Sequence, residues 1–106
     1  MFNNYICIGD SFTRKIDDIT YTLVIEHDPD SNPRDYDCYD KDAIKAWTRD
    51  EWFYAGVVVH AERDGWTRQC VAGMWSVEIN IVDNNDYVNG IAEELLTEAQ
   101  SVLAED

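Results

Sequence analysis

The chain has 106 residues, 45% of them hydrophobic and 12% aromatic, with 22 acids against 8 bases and a formal net charge of −14. That length fits one domain, residues 1–106, and leaves no room for a doubly wound nucleotide-binding fold. The apolar content excludes a disordered polyanion, and the charge excludes simple electrostatic attraction to nucleic acid or an anionic membrane.

No run reaches the roughly 18 apolar residues of a membrane span, and the first ten residues lack the basic flank and apolar stretch of a secretory signal. Cys7, Cys38 and Cys70 are odd in number and widely spaced, with no CxxC. They read as reduced thiols of a cytoplasmic protein, with Cys7 and Cys70 in apolar runs that suit a core.

In chain order, Tyr5 to Ile8 is a short apolar run compatible with an edge strand, and Gly9 to Asp18 is polar and turn-like. Ile19 to Glu26 alternates and is rich in β-branched and aromatic residues, which predicts a strand. His27 to Asp40, HDPDSNPRDYDCYD, holds both prolines and reads as a long acidic loop. Asp40 is placed to cap a short helix from Lys41 to about Glu51. Trp52 to Glu62 is apolar on both faces, the mark of a central strand.

Asp64-Gly65 then predicts a hairpin with a type I′ turn. The return strand runs from Trp66 to about Ile81, with Trp75, Val77, Ile79 and Ile81 on one face and Gly73 as a candidate bulge. From Asn84-Asn85 to Ala104, apolar residues follow helical spacing. Trp47, Trp52 and Trp75 are expected in the core, and Trp66 and Tyr36 at the surface. The expected fold is α+β: an antiparallel sheet of three to four strands packed by a long C-terminal helix, with one short helix after the acidic loop.

Chemical motifs are sparse. Asp28, Asp30 and Asn32 match the first positions of a calcium loop, but Pro33 stands where glycine is needed and Tyr39 where a glutamate is needed. A cation site built from Asp28, Asp30, Asp35 and Asp37 is the alternative reading, against solvated carboxylates that start Asx-turns. His60-Ala61-Glu62 echoes the HxE of zinc deaminases without the PCxxC half. No serine lies in GxSxG, and no glycine-rich phosphate loop occurs. The chain therefore reads as a non-enzyme without cofactor.

Charge patterning carries the functional expectation. Residues 1–50 hold 11 acids and 6 bases, residues 51–106 hold 11 and 2, and no Lys or Arg follows Arg68. The terminal helix lacks the basic last turn that would offset its dipole. Two acidic runs result. One is the loop, with Asp28, Asp30, Asp35, Asp37 and Asp40 beside Tyr36. The other is the helix, with Asp86, Glu93, Glu94 and Glu98. Together with Trp66 these are the candidate contacts, because carboxylates among aromatics suit a Lys/Arg-rich protein surface.

HDPDSNPRDYD, the helix ending in WTRDEW, the GVVV strand and MWSVE together resemble a group of small acidic bacteriophage and mobile-element proteins, over roughly Thr22 to Glu98. In that group the strand reads leucine-tryptophan-glycine-isoleucine-glutamate, whereas here Ser76 replaces the glycine. The resemblance implies an accessory protein of the bacterial cytoplasm. The function expected from it and from the charge is a phage-type inhibitor, monomeric or dimeric. It would bind the basic nucleic-acid site of a host protein or ribonucleoprotein defence complex (restriction or CRISPR) without touching nucleic acid itself, and by DNA mimicry if the two acidic runs gather on one side of the fold. The alternatives are a divalent-cation module on residues 28–40 and an oligomerising phage accessory protein.

Overall fold

The computed structural model describes residue 2, residues 5–81 and residues 85–105. It is an α+β fold: four antiparallel strands in simple meander order and two helices, the long C-terminal one packed on the sheet. The strands are β1 (Ser11–Ile16), β2 (Ile19–His27), β3 (Phe53–Arg63) and β4 (Trp66–Ile79). The helices are α1 (Lys41–Thr48) and α2 (Asn85–Glu105), and a 3₁₀ turn (Pro33–Asp35) lies in the acidic loop.

The main apolar layer follows period-2 alternation. Tyr21, Leu23 and Ile25 of β2, Ala55, Val57, Val59 and Ala61 of β3, and Ala72, Val77 and Ile79 of β4 meet Val88, Ala92, Leu95, Leu96 and Ala99 of α2. Both faces of β3 are buried between β2 and β4, as a central strand requires. Asn84, the expected first residue of the terminal helix, lies outside the described residues, as does Asp106.

The polar stretch from Gly9 to Asp18 is not a loop. It contains β1, whose Phe12, Arg14 and Ile16 alternate with Ser11, Thr13 and Lys15. The β1–β2 turn, Asp17-Asp18, has both residues at positive φ, 50° and 68°. This is the backbone signature of a type I′ turn, which Asp tolerates better than most residues. Asp64-Gly65 does close a hairpin, between Arg63 and Trp66, but only Gly65 has positive φ, at 70°. Its φ signs are those of a type II turn.

Tyr5 to Ile8 forms no strand. Phe2 and Ile6 plug the core, and side-chain amides take the place of strand partners. Asn89 accepts from the Phe2 amide and donates to its carbonyl, both at 3.0 Å. Asn80 does the same for Ile6, at 3.0 and 2.8 Å. Cys7 and Cys70 are exposed, as is Cys38. Cys7 lies in the irregular segment and Cys70 in a bulge, so neither follows its apolar neighbours inward.

β4 departs from regular pairing twice. Ala55 faces Val77 and Val57 faces Met74, so β4 carries one extra residue there; Val59 faces Ala72 and Ala61 faces Arg68, an excess of two. The bulges flank Gly73, which pairs regularly with Val58. Each contains a residue at positive φ, Ser76 at 59° and Cys70 at 55°, and each leaves a ladder N–H without a strand partner. Side chains satisfy both. Asp28 Oδ2 accepts from the Ser76 amide at 2.8 Å, and His60 Nδ1 accepts from the Cys70 amide at 3.0 Å.

The Ser76 bulge also corrects the expected position of Trp75. An extra residue reverses the face of everything before it. Trp75 therefore leaves the Val77–Ile79 row and lies over Gly56, on the face opposite α2 and 53% exposed. Glycine is required below it, because a Cβ on Gly56 would sit 2.5 Å from the indole ring.

Candidate partner-binding surface

The acidic loop is built from side-chain caps. Asp28 is 8% exposed. Its Oδ1 accepts from the Asp30 amide at 3.1 Å, forming an Asx-turn, and its Oδ2 also accepts from Ser31 Oγ at 3.1 Å. Ser31 and Ser76 hydroxyls meet at 2.6 Å. Burial pushes the Asp28 carboxyl upward, but the donors of Ser76, Asp30 and Ser31 outweigh it and hold the group below its ordinary value. Asn32 then accepts from the Arg34 amide at 2.9 Å and opens the 3₁₀ turn. Asp40 accepts from the Ala43 amide at 2.8 Å as N-cap of α1, the role expected from sequence.

An aromatic layer carries the loop against the sheet. Tyr39 stacks on Trp52 at 5.4 Å between centroids, and Tyr54 meets both edge-on at 6.5 and 5.2 Å. Tyr36 packs beside Tyr39 and Tyr54 at 6.2 and 6.3 Å. The Tyr39 hydroxyl donates to Glu78, and burial together with that carboxylate drives its ionisation far upward. Burial also raises Tyr54. The Tyr54 hydroxyl makes no well-formed hydrogen bond among the described residues, although the Tyr39 hydroxyl is near enough to act on it electrostatically. Trp52 Nε1 donates to the Ala43 carbonyl at 2.8 Å, tying α1 to the same layer.

Tyr54 and Glu78 point away from the Ala55 and Val77 face that α2 covers. The loop and α2 therefore lie on opposite faces of the sheet, and the two acidic runs do not merge into one patch. Within the loop, Asp30, Asp35 and Asp37 are exposed and Tyr36 is 45% exposed, whereas Asp28 and Asp40 are committed to holding the loop and α1. On α2, Asp86, Glu94 and Glu98 are exposed. Glu93 makes a two-pronged pair with Arg14 of β1, both contacts at 3.0 Å. That hydrogen bonding lowers the Glu93 carboxyl and raises Arg14.

Trp66 lies at the β3–β4 hairpin tip, beside Ile19, Arg63, Asp64 and Leu103 of α2. Trp75, expected in the core, is a surface residue that sequence reasoning missed, because the Ser76 bulge that turns it outward is held by the distant Asp28. Among the described residues, no three His, Cys, Asp or Glu side chains converge as a metal site, and Asp28 and Asn32 serve as turn caps. His60, of the HxE triplet, uses Nδ1 to hold the Cys70 bulge. No described helix is long and apolar enough to cross a membrane.

No family model, curated protein or solved structure matches the chain.

Proposed function

We propose that this chain is a non-enzymatic polyanionic binding protein that occupies the basic nucleic-acid site of another protein. The observation that carries the reading is the placement of exposed acids on both faces of a narrow body. The backbone extends 49 × 25 × 19 Å, with a radius of gyration of 15.1 Å, against about 13 Å for a round domain of this size. A duplex 49 Å long carries about 29 phosphate charges, so a net −14 is about half that density. Acids on two opposite faces favour insertion into a basic channel over docking on a flat surface. The sequence resemblance makes a bacterial restriction or CRISPR complex the partner class to test first, with the chain as a phage-encoded inhibitor.

The test begins with capture of partners from a bacterial lysate on the immobilised protein, followed by binding measurements with the recovered partner. The expected result is mutually exclusive binding of this chain and duplex DNA or guide RNA, with affinity falling steeply as salt rises. An affinity that is flat in salt, or a partner that holds this chain and nucleic acid together, overturns the reading.

A further inference from the structure

Resting on that polyanionic reading, we propose that the cleft between the Asp28–Ser31 turn and the Ser76 bulge is a receptor for an arginine side chain of the partner. The cleft has a volume of about 490 Å³ and brings together Asp28, Asp30, Tyr36 and Trp75, with His27, Pro29 and the two serines completing its wall. Two kinds of feature meet here. Tyr36 and Trp75 are both substantially exposed beside the carboxylates of Asp28 and Asp30. The Asp30 carboxylate has no hydrogen-bond or ion-pair partner among the described residues.

Guanidinium suits this combination better than ammonium does. It is planar, lies on aromatic faces while its edge donates to a carboxylate, and loses hydration more readily. The chain uses the same chemistry internally: Arg34 sits 5.6 Å from the Trp47 ring centroid and Arg14 sits 5.3 Å from that of Phe12. Both receptor rings are held before any ligand arrives. Tyr36 is backed by Tyr39 and Tyr54. Trp75 rests over Gly56 and precedes the bulge that Asp28 pins through the Ser76 amide. Little ordering of the site is then left to oppose binding.

The probe is a fluorescein-labelled hexapeptide of alternating glycine and arginine, with its lysine counterpart, titrated by fluorescence anisotropy. The proteins are wild type, Tyr36→Ala, Trp75→Ala and Trp75→Phe, all of unchanged charge, each checked by its thermal melt. The arginine peptide is expected to bind wild type more tightly than the lysine peptide. Either alanine variant should weaken arginine-peptide binding about fivefold to thirtyfold and erase the preference, while Trp75→Phe retains most of both. Equal binding by wild type and both alanine variants overturns the receptor and leaves the polyanionic reading standing. Failure of wild type to bind either peptide overturns both.

Discussion

Asp28 reaches across 48 positions of sequence to accept the Ser76 amide at 2.8 Å, so one buried carboxylate fixes both the start of the acidic loop and the bulge that turns Trp75 outward. Removing it leaves the Ser76 and Asp30 amides without their acceptor. Asp28→Ala is expected to cost about 2–3 kcal/mol, read from urea unfolding. Asp28→Asn keeps one accepting oxygen and should cost less.

The same carboxylate makes stability depend on pH. Its folded value is depressed, so its contribution is complete above the unfolded value of about 4. It is lost as the pH falls through that value toward the folded one. The urea midpoint should therefore drop between pH 5 and pH 3 by more in wild type than in Asp28→Asn. Equal drops would remove Asp28 from the acid response.

Ser76 has φ at 59°, a region that glycine enters without Cβ strain. Ser76→Gly and Ser76→Ala both lose the hydroxyl contact with Ser31, so comparing them isolates the backbone. The glycine variant is expected to be more stable than the alanine variant by about 1 kcal/mol. Equal midpoints would mean that the backbone carries no strain there.

How much of this was readable in advance follows from which contacts are local. Alternation in Tyr21–Ile25, helical spacing through Val88–Leu103 and the cap at Asp40 are short-range patterns, and each names its element. β1 escaped because Ser11, Thr13 and Lys15 make a solvent face that looks like loop composition, and Asp17-Asp18 is a weaker hairpin signal than Asp-Gly. Gly73 suggested a bulge in β4, but the real ones flank it at Ser76 and Cys70, and their positions escaped because their partners, Asp28 and His60, are long-range. The alternation Trp75, Val77, Ile79 then misread one residue of phase as a continuous face. The acids were visible as two runs, but their separation onto opposite sheet faces depends on Tyr39 stacking on Trp52, a contact no sequence period encodes.

Gly56 and Trp75 form a testable pair. A Cβ at Gly56 meets the indole at 2.5 Å, so Gly56→Ala must displace the ring or strain β3. It should cost about 1–3 kcal/mol and shift Trp75 fluorescence toward that of a more solvated indole. In a Trp75→Ala background the same substitution should cost much less. A double-mutant cycle with no coupling would show that the ring is not seated on Gly56 in solution.

The opposed acidic faces separate two ways of binding a basic partner. Asp35 and Asp37 lie on the loop side, Glu94 and Glu98 on α2, and all four are exposed, so reversing them to lysine leaves the core contacts intact. A flat basic surface meets one face, and then only one of the double reversals, Asp35→Lys with Asp37→Lys or Glu94→Lys with Glu98→Lys, should weaken binding. A channel surrounds the slab, and then each double reversal should weaken binding about tenfold or more, with the combined variant close to the product of the two because the sites share no contacts. We expect the second outcome. Both losses should shrink at high salt, where screening over about 3 Å at 1 M removes the attraction that the carboxylates supply. Loss from one face alone would replace channel insertion with one-sided docking.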